Sequence, residues 1–180
     1  MSKGLLLLFL LSCSFTNSEN ESIYSISFKS IDNKTINMKE FVGKKIMIYA
    51  FNAGSPNIPK LKALDSIGQI NKSTLVIIGI PVNDFEKSFE PEVLNKIISE
   101  ENLIRFPISA ISRGKSAPDQ HNLLRWLSRN SLNNHFKKTF LAADQLYLIS
   151  TQGNLYGVFD KGFSVNNPFM NSILKNEPIN

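Results

Sequence analysis

The stretch FNAGSPNIPKLKAL, residues 51–64, leads an apolar run into an amphipathic helical pattern through a turn that holds Ser55. A small side chain in such a turn lies near backbone N–H groups and the positive end of a helix dipole, where a cysteine would be held as a reactive thiolate. Here the residue is serine. To act as a hydrolytic nucleophile, Ser55 would need a positioned base, and the chain offers only His121 and His135, with Asp84 as an orienting acid. The local NAGSPN text is not a G-x-S-x-G elbow, and Pro56 follows at once, so Ser55 reads as a turn or N-cap residue. The two histidines are fourteen positions apart with no H-E-x-x-H pattern, so no zinc site and no cofactor is expected.

Cys13 is the only cysteine in the chain, and it closes the segment MSKGLLLLFLLSC. Lys3 precedes an apolar run from Leu5 to Leu11 that is too short to cross a bilayer core of about 30 Å. That is the anatomy of a secretory signal peptide. Its end, Leu10-Leu11-Ser12-Cys13, resembles the lipobox of bacterial lipoproteins, which implies diacylation of Cys13 and its exposure as the mature N-terminus. The expected organisation is a signal peptide over 1–12, a lipidated cysteine and flexible tether over 13–22, and one folded domain over 23–176. In this reading the mature domain contains no free thiol.

Composition is that of a globular protein, at 42% hydrophobic and 19% charged residues, and 180 residues suit one domain. The net charge of +5 is modest, and the densest basic cluster is Arg125, Arg129, Lys137 and Lys138. It lacks interleaved aromatic residues or a motif, so a nucleic-acid partner is not expected, and an anionic membrane surface suits it better.

The helices and strands follow from periodicity. SIYSISFKSI and NKTINM flank Asp32-Asn33 as a hairpin. KIMIYAF (45–51) and TLVIIGIP (74–81) read as strands buried on both faces, joined by a helix opening at Pro59, which makes a right-handed parallel unit. A helix is expected over 92–101, a short strand over 104–108, and a helix in DQHNLLRWLSRN with Asp119 near its start. QLYLISTQGNLYGVF reads as a strand pair turning at Gln152-Gly153-Asn154, and Asn167-Pro168 opens a last helix. Hairpin, parallel unit and closing hairpin predict an α/β fold of thioredoxin-like order, with a mixed central sheet and helices on both faces.

The stretches IYSISFKSIDNKTINMKEFVGKKIMIYAFNA, GIPVNDF, FPISA, HNLLRWL and YLISTQGNLYGVF together resemble the glutathione peroxidase family from Ile23 to about Leu174. The family's chemistry needs a cysteine or selenocysteine thiolate, with glutamine, tryptophan and asparagine as donors around it. The resemblance puts the nucleophile at Ser55, the glutamine at Asp84, and the Trp-Asn pair at Ala142 and Ala143. All four positions differ from the family. A resolving cysteine would fall near Ile98, where there is none, while His121 and Trp126 match structural positions of the family. A serine hydroxyl cannot follow a thiolate through sulfenic acid and back by thiol exchange. The sequence therefore points to a non-catalytic module, lipid-anchored in the bacterial cell envelope, that binds an envelope protein or a small ligand. The competing reading is a thiol-dependent peroxidase acting in oxidative stress.

Overall fold

The computed structural model describes residues 21–85, 94, 96, 104–133 and 142–176. At its centre is β3 (Lys45–Asn52), an eight-residue strand whose residues are all buried. It pairs in parallel with β4 (Leu75–Val82), from Lys45 opposite Leu75 to Asn52 opposite Val82. On its other side it pairs antiparallel with β5 (Gln145–Ile149), which in turn pairs with β6 (Leu155–Phe159). The sheet order is β4-β3-β5-β6.

Alternate side chains of a strand point to opposite faces, and β3 divides accordingly. Ile46, Ile48 and Ala50 join one core with Leu123, Leu124, Trp126 and Leu127 of α2 (Asn122–Ser128). Met47, Tyr49 and Phe51 join the other with Leu61 and Leu64 of α1 (Ile58–Ile70) and Met170 near the C-terminus. A short helix α3 (Asn130–Asn133) follows α2, and the last helix is α4 (Pro168–Lys175), with Asn167 as its N-cap. The predicted helix over 92–101 falls mainly outside the described residues, although Leu94 and Lys96 have helical backbone and Leu94 is buried.

Three local expectations need correction. The hairpin β1 (Ser27–Lys29) and β2 (Thr35–Asn37) forms its own two-stranded sheet instead of joining the central one. It stands apart because the segment from Pro107 to Ser112 lies between it and β4: Ser109 N–H donates to Gly79 on one side and Ala110 N–H to Lys29 on the other. That segment replaces the predicted strand over 104–108. Pro107 has no N–H to give a ladder, so single bridges form, at Ile108, Ser109 and Ser112. Gly79 permits the close approach, since a Cβ there would lie 3.1 Å from the Phe106 ring. The Asp65 carboxylate secures the same segment from α1, accepting from Arg105 N–H at 2.7 Å and from its guanidinium at 2.6 and 3.0 Å.

The third correction concerns α2. Its N-cap is His121, whose Nδ1 accepts from Leu123 N–H at 3.2 Å, whereas Asp119 lies outside the helix and pairs with Arg113. Burial pushes the His121 pKa down to about 4. Capping and desolvation both favour the neutral ring, so the native state binds its proton at lower pH than the unfolded chain, whose ordinary value is 6.5. This contribution to stability is therefore complete above pH 6.5 and is lost as the pH falls toward 4, by up to about 3 kcal/mol. His121→Asn keeps a capping oxygen and removes the titration. Urea unfolding across that pH window is expected to show the loss in the wild type and a flatter profile in the variant.

Candidate functional site

The parallel strands β3 and β4 end side by side, with Ala53 N–H donating to Val82 C=O at 2.9 Å. β5 begins at the same end, where Asp144 N–H donates to Ala50 C=O at 2.7 Å. The chain therefore brings Ser55, Asp84, Ala142 and Ala143 to one pole of the sheet, each within a few residues of a strand end. This is the end of an α/β sheet at which loops make binding sites.

Ser55 is exposed in a bend after β3. The N-cap of α1 is Asn57, whose side chain accepts from Lys60 N–H at 3.1 Å, so Ser55 is a turn residue and not the cap. Asn52, buried at the end of β3, accepts from Gly54 N–H at 3.0 Å and shapes the start of the turn. Asp84 is turned toward a neighbouring loop. Its carboxylate accepts from Gly114 N–H at 2.9 Å and Lys115 N–H at 2.7 Å and lies 3.8 Å from Arg113 Nε. Beside it opens a polar cavity of about 700 Å³ lined by Asn83, Asp84, Ser112, Arg113 and Asp119. Ala142 and Ala143 are half-buried and present only methyl groups, and Ala143 packs on the α2 side of the core.

A second group of residues at this pole carries no signature in the sequence. The Tyr49 hydroxyl donates to Asp144 Oδ1 at 2.5 Å, and the Lys60 ammonium lies 5.2 Å from the centre of the Tyr49 ring. Lys60 also donates to the carbonyls of Asp144 at 3.1 Å and Lys161 at 3.3 Å. One buried amine thus ties the first turn of α1 to the start of β5 and to the chain leaving β6. Burial lowers the Lys60 pKa against the pull of Asp144. Burial, reinforced by the bond to Asp144, raises that of Tyr49, so the phenol stays a neutral donor. The only hint in sequence was a lysine inside an apolar helical pattern, and its partners lie as far as 101 positions away.

The histidines do not build a triad on Ser55. His135 lies outside the described residues. His121 spends Nδ1 as an acceptor, so its neutral ring carries the proton on Nε2 and cannot take one there from a hydroxyl. Among the described residues no three His, Cys, Asp or Glu side chains converge as metal ligands. Cys13 and Ile98 also lie outside the described residues.

Compared with protein-family models and with curated proteins, the sequence gives no match. Solved structures do share its shape. "Trgpx" in apo form superposes with a TM-score of 0.64 at 15% identity, over 87% of this chain and 97% of that one. T. cruzi GPX1 gives 0.63 at 18% identity, over 86% and 95%. A thiol:disulfide interchange protein of the thioredoxin family from Chlorobium tepidum TLS gives 0.62 at 17% identity, over 87% and 94%. The fold is thioredoxin-like. At these identities the likeness concerns architecture alone.

The Lys60 clamp is testable. Lys60→Met keeps most of the side-chain volume but leaves the Asp144 and Lys161 carbonyls without their donor. Urea unfolding is expected to show a loss of about 1–3 kcal/mol.

Proposed function

We propose that this protein is a lipid-anchored envelope protein whose thioredoxin-like domain does not reduce peroxides and serves as a binding module. The observation that carries the reading is chemical: the only cysteine is Cys13, ahead of the domain, so the fold that elsewhere carries thiol chemistry has no thiol here. Peroxide reduction must pass through an oxidisable and regenerable atom, which the Ser55 hydroxyl does not supply. The surrounding positions follow the same pattern, since Asp84 is committed to the amides of Gly114 and Lys115 and the two alanines offer no side-chain donor. A peroxidase would need such donors preorganised around its nucleophile. The exposed Ser55 turn and the polar cavity beside Asp84 are the surface we assign to an envelope protein or small ligand.

Purified protein is expected to show no peroxide reduction with either glutathione or thioredoxin as reductant, and Ser55→Ala is expected to change nothing. Turnover above a buffer control that Ser55→Ala abolishes would overturn the reading. Ser55→Cys probes the pocket directly. With no donors from Ala142 and Ala143, its oxidation by peroxide in stopped flow is expected to match that of free cysteine at the same pH. A rate far above this would show a pocket still competent for catalysis. Used as a site for a thiol-directed cross-linker, the same variant is expected to trap a discrete adduct in detergent-solubilised envelope.

The anchor has its own test. Metabolic labelling with a fatty acid is expected to mark the wild type and not Cys13→Ala. Equal labelling and equal membrane fractionation of the two would rule the anchor out.

A further inference from the structure

The sheet has a second pole, at the start of β3, roughly 23 Å from the Ser55 end by the rise of an eight-residue strand. Several segments converge there. The 3-10 turn Met38–Phe41 leads into β3, and the C-terminus of α1 meets the start of β4 through Leu75 N–H donating to Asn71 C=O at 2.8 Å. The C-terminus of α4 is held there by buried Lys45, which donates to the carbonyls of Ile173 at 2.8 Å, Leu174 at 3.1 Å and Asn176.

These segments carry a distinctive set of side chains. Ile70 is 82% exposed and Val42 58% exposed, two of the three large apolar residues that face solvent among the described residues. Around them lie Lys39, Lys44, Lys72 and Lys175, with Lys44 Nζ donating to Lys72 C=O at 3.3 Å. Glu21 and Glu40 are the carboxylates described at this pole, so cations outnumber them by two to one. The described residues also begin here. Glu21 C=O accepts from the Trp126 indole at 2.6 Å, and Tyr24 in the following 3-10 turn donates to Thr151 C=O at 3.1 Å beside the β5–β6 turn. The chain therefore enters the described domain, at Glu21, on its lysine-rich, apolar-tipped end.

We infer that this pole docks on an anionic phospholipid surface, with Ile70 and Val42 dipping among the headgroups and the four lysines pairing with lipid phosphates. The inference rests on the lipid-anchored reading and extends it, because it gives the anchored domain one orientation, with the Ser55 pole turned away from the bilayer. Lysines near an anionic leaflet each add attraction that falls off within a Debye length, and exposed apolar side chains add burial at the interface. Among the described residues no helix is long and apolar enough to cross a membrane.

The test uses the full chain on vesicles of phosphatidylcholine alone or mixed with phosphatidylglycerol, with lysine acetylation read by mass spectrometry. Lys39, Lys44, Lys72 and Lys175 are expected to react about tenfold more slowly on the phosphatidylglycerol vesicles. High salt should restore their rates, and Lys115 near the Ser55 pole should react equally on both. In the triple variant Lys39→Glu, Lys44→Glu and Lys72→Glu, the protection of Lys175 is expected to vanish. Fluorescence of Trp126, the only tryptophan, checks that the variant is folded. Equal labelling on both vesicles, or protection of Lys115 in place of the four, overturns the docking. The mass of the N-terminal fragment reads acylation of Cys13 separately. Lipid on Cys13 without lysine protection defeats the docking and keeps the anchor, while protection without lipid defeats the anchor and keeps the docking.

Discussion

Everything in this molecule hangs on the complete burial of β3. Six consecutive residues, Ile46 to Phe51, have no exposed surface, and each of the large apolar ones contributes about 1.5–3 kcal/mol on leaving water. A strand buried on both faces must also have its backbone paired on both edges, because an orphan N–H or C=O inside a core is costly. β4 and β5 supply those partners, one parallel and one antiparallel. The parallel partner demands a crossover, which α1 provides, and the antiparallel one needs its own outer neighbour, which is β6. The two faces then require cover, from α1 and α4 on one side and α2 on the other.

The polar ends of β3 show how such a strand is brought back to water. Lys45 is buried at the first position, and its ammonium is satisfied by the last carbonyls of α4, the end of a helix dipole that favours a cation. Asn52 is buried at the last position and turns its side chain to the Gly54 amide. One end thus fixes a helix terminus and the other fixes the Ser55 turn. Lys60 and Tyr49 reinforce the second end through Asp144, which itself adopts a left-handed conformation with φ of 69°. The frame around the Ser55 turn is therefore well held, and the side chains described on it include the Ser55 hydroxyl, the Asp84 carboxylate and two alanine methyl groups.

The two poles of the sheet differ in character along one axis. Loops after β3 and β4 form the end with the polar cavity and Ser55, while the opposite end gathers the first described residues, the lysines and the exposed Ile70 and Val42. Under the proposed reading such a division serves an anchored domain, because contacts that hold it to a surface do not compete with those that meet a ligand. His121 sits between the two as a buried neutral cap whose titration reports on the packing of α2 against the hairpin, where its ring meets Phe28 edge-on at 5.2 Å.

Much of this architecture was written locally. Unbroken apolar runs identify β3 and β4, Pro59 and Pro168 open their helices, Asn167 caps, and Gly153 turns with φ of 86° at a place where a Cβ would strike Tyr24. That residue 55 carries a hydroxyl and no thiol was equally plain, since it is a matter of covalent chemistry. The sequence misleads where a choice depends on a distant partner. Pro107 blocks a ladder that neighbouring apolar residues suggest, α2 begins only after a His121 cap two residues beyond Asp119, and Asp84 takes the amides of a loop thirty positions away. Lysines 39, 44, 72 and 175 look like isolated solvated charges along the chain, whereas the fold carries the segments that hold them to one end of the sheet. Hydrophobic period and turn chemistry act over a few residues and can be read in order. Which charges share a surface, and which buried amine meets which carbonyl, is settled only when β3 is covered and its neighbours have no other place to go.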